Sequence, residues 1–250
     1  MAQKLCYFLK FNIFSVFKRT KMQNQNVFGN AHSAAIVSSH KVLRNTYFLL
    51  ALSLLPTVAG ATLGVFLNFS WMAGSPILGA VLFLAISFAF FYGIEKNKNS
   101  SIGIALLLGF TFFMGLMLSR ILQVALGFSN GSEMIALAGG GTALIFFAMS
   151  AIGSNPKNDF SAWGRFLFVG VVVLLVAMLA NLFLQIPALH LALSVVCLGI
   201  FSAYIMYDIN RIIHGGQNNY VLATLSVYLD IYNVFVSLLQ LLMAFSGQRE

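Results

Sequence analysis

The chain reads as an all-α membrane protein of seven transmembrane helices, N-terminus inside and C-terminus outside, on three observations. Of its 250 residues 60% are apolar and only 8% charged, against about 25% charged in an ordinary soluble domain. Its apolar residues run in stretches of bilayer-spanning length. Its cations collect at one end, seven of 14 Lys/Arg lying before residue 45 and no Asp or Glu before Glu95. A globule of this size could not cover its surface with so few charges, which excludes a soluble enzyme and a free nucleic-acid binder despite the net charge of +8. Cys6 and Cys197 are too few for a disulfide framework.

A span needs about 20 mostly apolar residues, and seven stretches qualify: 46–67, 76–94, 102–126, 134–153, 164–186, 187–211 and 220–245. The first contains Pro56, read as a kink. The second opens on Pro76 behind Ser75, a start that spares a backbone donor. The fifth and sixth nearly merge, since Phe166 to Met206 carries no formal charge. As one helix those 41 residues would run about 61 Å at 1.5 Å each, twice the hydrocarbon thickness. They are two helices, broken at Gln185-Ile186-Pro187.

The connections set the orientation. Lys41 and Arg44 precede the first span, Lys96 and Lys98 follow the second, Lys157 and Arg165 flank the fourth connection, and Arg211 closes the sixth span. The first, third and fifth connections carry no Lys or Arg. This alternation places the N-terminus inside, with Arg249 a weak exception. The domain plan is a basic cytoplasmic arm over 1–45, a helical domain over 46–245 and a short tail over 246–250. Residues 1–21 lack an uninterrupted apolar core and a small-residue cleavage site, so a cleaved signal is not expected. They are either a segment at the cytoplasmic surface or the product of a start assigned upstream of Met22. No internal repeat emerges.

Of six acidic residues, only Asp208 and Asp230 fall inside spans. A carboxylate at membrane depth costs several kcal/mol unless paired, hydrated or protonated, and marks a candidate site. In the last span Ser226, Asp230, Asn233, Ser237 and Gln240 recur at spacings of 4, 3, 4 and 3, one polar seam on an apolar helix. In the sixth, His190, Ser194, Cys197, Tyr204, Asp208 and Arg211 keep the same phase. Polar seams in lipid turn toward the bundle interior or a hydrated cavity, so the two are expected to face each other. Counted from the turn near Gln217, the aspartates differ in depth by about 6 Å of helix rise, and the tilt of side chains toward each helix's N-terminus closes that gap.

Two carboxyls in contact at low dielectric resist double ionisation and titrate as a coupled pair. Sharing a proton they tie two helices together; both ionised, they repel or take a cation between them. Hard oxygen donors suit Ca²⁺, which makes Asp208 and Asp230 a candidate pH sensor and transient cation site. The alternative is a protonated pair that only fastens the helices. No resident cofactor is expected, with Ca²⁺ the candidate permeant ion.

Tyr207-Asp208 through Ile212-Ile213-His214-Gly215-Gly216, then Leu225-Ser226-Val227-Tyr228-Leu229-Asp230-Ile231-Tyr232-Asn233, resembles the C-terminal signature of the Bax inhibitor-1 (transmembrane Bax inhibitor motif) family. His40-Lys41-Val42-Leu43-Arg44-Asn45-Thr46-Tyr47, Gly140-Gly141-Thr142-Ala143-Leu144 and Asn181 to His190 resemble its bacterial YccA-type branch, and the likeness runs from about residue 32 to 245. The resemblance implies a central last helix wrapped by the other six, in the bacterial inner membrane. In channel-like members it implies a pH-sensing aspartate gate for a Ca²⁺ leak, carried here by Asp208 and Asp230; the seams read from spacing add Ser226, Asn233, Ser237, Tyr204 and Arg211 as supporting polar residues. In the YccA type it implies binding and restraint of the membrane protease FtsH, involving the N-terminal segment. Both aspartates favour the leak; overall motif similarity favours the protease modulator. The usual Gly-Pro step of the third span is replaced by Met117-Leu118-Ser119-Arg120. Arg120 either snorkels to the outer surface, the preferred reading, or neutralises a carboxylate. Where channel-like members carry an arginine near the inner end of the second helix, this chain has only Lys96 and Lys98.

Weaker signals receive structural readings. Arg211, His214 and Gly215-Gly216 read as a helix terminus. His190 lacks a co-ligand for a metal. Gly60, Gly64 and Gly139-Gly140-Gly141 read as close helix packing within the protein, with dimerisation the alternative. The Phe-rich runs around Phe90 and Phe112 read as lipid-facing or packing residues. An intramembrane protease lacks a histidine base at depth or the glycine-rich companions of catalytic aspartates, so no enzymatic activity is expected.

Overall fold

In a computed structural model of the chain, residues 30–69 and 76–246 are described. Among them the chain forms seven helices and no strand: α1 (Asn30–Phe66), α2 (Pro76–Lys96), α3 (Ser101–Leu126), α4 (Gly131–Gly153), α5 (Trp163–Leu184), α6 (Pro187–Ile213) and α7 (Tyr220–Ser246). Six of them, all but α2, contain stretches long and apolar enough to cross a bilayer. The expectations for residues 1–21 lie outside the described residues.

The helix limits follow the sequence reading within a few residues, with one exception. α1 begins at Asn30, well before the apolar stretch near residue 46. Nothing between Ala31 and Asn45 breaks a helix, and hydropathy marks where a helix enters lipid rather than where it starts. Residues 30–45 of the expected arm are therefore a helical extension of the first span. The α5–α6 break falls at the expected tripeptide. Gln185 takes a left-handed conformation (φ 52°), its N–H bonds to the Asn181 carbonyl at 2.9 Å, and the Asn181 side chain accepts from Ile186 N–H at 3.0 Å. Pro187 then opens α6.

α7 is the axis. Of its apolar stretch 78% is buried, against 44% or less in each of the other five, and it packs on α1, α2, α3, α4 and α6. The wrapping is less even than the resemblance implied: α5 packs chiefly against α6, joined by Leu167, Val171, Leu174 and Met178 set against Cys197, Phe201 and Tyr204. α1 and α3 lie closest together. A Cβ on Gly60 would strike the Phe112 carbonyl oxygen, one on Gly64 the Ser119 side chain, and one on Gly115 the Thr57 carbonyl oxygen. That is the packing expected of Gly60 and Gly64. Gly139 and Gly140 depart from it: a Cβ on either would meet nothing within 4 Å, since Gly140 is exposed and Gly139 borders an open cleft between α4 and α1.

Asparagine side chains stitch one end of the bundle. Asn219 caps α7, accepting from Val221 and Leu222 N–H at 3.0 and 3.1 Å, and its amide donates to Lys98 O at 3.0 Å and Asn99 Oδ1 at 2.8 Å. Asn210 accepts from Phe160 N–H at 3.0 Å and donates to Gly153 O and Asn158 O at 3.1 and 2.7 Å. The α2–α3, α4–α5 and α6–α7 connections are thus held together. At the opposite end Gln123 donates to Gly64 O at 3.1 Å and Asn130 to Ser246 Oγ at 3.4 Å.

Candidate functional site between the last two helices

Three hydrogen bonds join the polar seams of α6 and α7. Ser226 Oγ donates to Asp208 Oδ2 at 2.5 Å, Ser237 and Cys197 share a bond at 2.8 Å, and Ser194 Oγ donates to Gln240 Oε1 at 3.1 Å. The steps from Ser226 to Ser237 to Gln240 along α7 equal those from Asp208 to Cys197 to Ser194 back along α6, so all three share one antiparallel register. The seams face each other as their periodicity predicts.

That register sets Asp230 opposite Tyr204, and Asp208 opposite Ser226. Asp230 lies one turn along α7 from Ser226, on the same face, and is wholly buried, while Asp208 is 7% exposed. Tyr204, 3% exposed, is within electrostatic reach of both carboxyls. Tyr207 stands in reach of Asp208 and of Arg211. Asn233 donates to Leu229 O at 2.6 Å and Ser237 to Asn233 O at 2.7 Å, extending the seam along α7. Carboxyl, hydroxyl and phenol oxygens therefore gather in an otherwise apolar bundle. Among the described residues no group of three or more His, Cys, Asp or Glu gathers to hold a metal. Ca²⁺, which takes about six to eight oxygen ligands, would need water for much of its shell here.

The remaining predicted residues lie apart. Arg211 Nε donates to Gly216 O at 3.2 Å, Gly216 N–H returns to Arg211 O at 2.8 Å, and Gly215 has φ 71°, the terminus expected there. Arg120 is exposed near the end of α3 that meets α1's C-terminus, the end opposite the α6–α7 turn near which Asp208 lies. Lys96 is exposed at the end of α2, and its neighbour Lys98 pairs with Glu95 at 2.7 Å. In the α4–α5 connection, the Ser161 N–H and hydroxyl hold Asp159 below its ordinary carboxyl range.

Sequence reasoning missed the tyrosines of α7. Tyr228 shares a hydrogen bond with Thr57 of α1 at 2.9 Å and donates to Thr111 O of α3 at 3.4 Å. Tyr232 donates to Met114 O at 3.4 Å. Their spacing from each other, one turn apart on the flank of the acidic seam, was the available signal.

Residues 39–247 match the family described as "Inhibitor of apoptosis-promoting Bax1". The chain is 44% identical over 208 residues to an Escherichia coli K12 protein named "Modulator of FtsH protease YccA", covering 83% of this chain and 92% of that one. It is 39% identical over 219 residues to an uncharacterized protein of Neisseria meningitidis serogroup B, covering 87% and 96%. An uncharacterized membrane protein of Vibrio cholerae is 38% identical over 206 residues, covering 82% and 90%.

Proposed function

The chain belongs to the Bax inhibitor-1 family, and from that premise we propose that it is a multi-pass inner-membrane protein that binds and restrains an FtsH-type membrane protease. The Escherichia coli relative, named as a modulator of that protease, is the observation that carries this reading. Restraint is a binding function, without a catalytic step of the chain's own. The basic arm over 1–45, with seven Lys/Arg and no acidic residue, is the segment offered to the protease, and the helical domain seats it in the bilayer. α2 crosses as the seventh span. Its support is the tie from Asn219 to Lys98 O and Asn99, which joins the α2–α3 connection to the α6–α7 turn. With seven crossings the basic end is cytoplasmic, N-terminus inside and C-terminus outside. Cross-linkers placed along residues 1–45, in vesicles holding both proteins, test the arm. Adducts to the protease are expected; none from any position, with folded partners, overturns this role.

A second reading has its own observation. Asp208 and Asp230 lie buried on facing helices, with Tyr204 in reach of both and Tyr207 in reach of Asp208. On this reading the pair is a protonation-sensitive joint that admits Ca²⁺ when α6 and α7 part. Ca²⁺ entry into liposomes across a pH series tests it. Flux that varies with pH and loses that dependence in Asp208→Asn and Asp230→Asn supports the joint; no flux above empty liposomes removes the leak and leaves the pair as a fastening.

A further inference from the structure

A cleft of about 1040 Å³ opens between α1 and α4, floored by α7 and α3. The ring contact of Tyr47 with Phe146, centroids 6.0 Å apart, narrows it near the basic end. Its walls are apolar, among them Leu54, Val58, Ala143 and Phe147. The tyrosine hydroxyls of its floor are committed elsewhere: Tyr228 bonds Thr57 of the α1 wall, and Tyr232 bonds Met114 O. The smooth face of α4 at Gly139 borders it, where an added Cβ would meet nothing within 4 Å.

Two polar features break this pattern, both toward the basic end. Ser150, 7% exposed and lining the cleft, carries a buried hydroxyl oxygen with no hydrogen-bond partner. The cleft-facing stripe of α1, Leu54, Ala51 and Tyr47, continues by helical spacing to Arg44 and His40, both exposed. The stripe of α4 runs through Ser150 and Ser154 into the connection bearing exposed Lys157.

We infer that this cleft binds an anionic phospholipid, its acyl chain lying along α4 past Gly139, an ester oxygen bonded to Ser150 and its phosphate held by Arg44 and Lys157. A second copy would bring its own cations to the same mouth. An acyl chain suits the apolar walls, and a phosphate suits cations that surface attraction to anionic lipid already favours.

The test purifies the full-length chain from vesicles of phosphatidylcholine with and without phosphatidylglycerol, and measures the lipid retained per protein by mass spectrometry. Wild type is expected to retain phosphatidylglycerol in preference to phosphatidylcholine. Gly139→Leu and Ala143→Leu fill the cleft and lose the lipid, while Ala148→Leu, exposed on α4 but outside the cleft, keeps it. Ser150→Ala lowers retention of both lipids. Arg44→Gln and Lys157→Gln reduce the preference by about fivefold per charge removed, without loss of folding by circular dichroism. Unchanged retention in folded Ala143→Leu overturns the proposal. So does cross-linking of Ala143→Cys to a second copy or to another protein's helix, which would assign the cleft to that occupant.

Discussion

The bond between Ser226 and Asp208 makes a quantitative test of the α6–α7 joint. A hydrogen bond to an ionised carboxylate contributes about 1.5–3 kcal/mol net, one between neutral groups about 0.5–1.5 kcal/mol. Interhelical bonds measured by double-mutant cycles in membranes average about 0.6 and reach about 1.7 kcal/mol, because the separated helices find other partners. This bond joins two buried or half-buried groups on facing seams, with a carboxyl as the acceptor, and belongs within that range. A cycle of Asp208→Ala, Ser226→Ala and the double variant, unfolded in mixed lipid–detergent micelles and followed by circular dichroism, is expected to give a coupling of about 0.6–1.7 kcal/mol. Asp208→Asn retains an acceptor for Ser226 and is milder than Asp208→Leu, which leaves the hydroxyl facing a methyl group. A coupling below about 0.3–0.5 kcal/mol is what independent sites give and would refute the joint as drawn here.

Other perturbations reach other parts of the fold. Asn210→Ala strips partners from the Phe160 N–H and from the Gly153 and Asn158 carbonyls, and is expected to cost about 2–4 kcal/mol, at about 1–3 kcal/mol for each group left truly unsatisfied; exchange of the Phe160 amide reads it, and unchanged protection would count against it. Gly115→Val sets a branched side chain against the Thr57 carbonyl and should lower stability by about 3 kcal/mol or more through overpacking, measured as loss of Tm, whereas Gly140→Ala meets open space and should leave Tm nearly unchanged. Asp159, held below its ordinary value of 3.8 by Ser161, contributes fully above that value and loses its contribution as pH falls through the lower folded one. Protection of the Ser161 amide should therefore fade in that acid range in wild type and not in Asp159→Asn; equal acid sensitivity in both would contradict the assignment.

The fold was legible because lipid imposes a coarse rule: about 20 apolar residues per crossing, with breaks wherever charge, glycine or proline interrupts. Pro187 and Gln185 announced the α5–α6 turn without any tertiary information. Where α1 starts was not legible, since a helix can run out of the bilayer on ordinary propensities, as Asn30 to Asn45 does. The facing seams were legible from spacing alone, because a polar side chain in lipid has few places to turn. Their register was not: it rests on which pairs, Ser226 with Asp208 or Ser237 with Cys197, meet across the interface. Glycine runs were ambiguous in the same way. Gly60 and Gly139 look alike in sequence, yet α3 presses on the first and, among the described residues, none comes within 4 Å of a Cβ built on the second. Tyr228 and Tyr232 escaped notice because an aromatic in an apolar helix shows no polar face until a neighbouring helix supplies Thr57 or a carbonyl.

Protease restraint is tested most directly by turnover. An FtsH-type protease reconstituted in liposomes of inner-membrane lipid, with a labelled membrane substrate, would be assayed with rising amounts of the full-length chain. The expected result is degradation that slows in a saturable way as the chain approaches stoichiometry with the protease, the restraint weakening when residues 1–29 are removed. Degradation that proceeds at the same rate with folded chain in excess would contradict the regulator and leave the buried aspartates as the chain's functional centre.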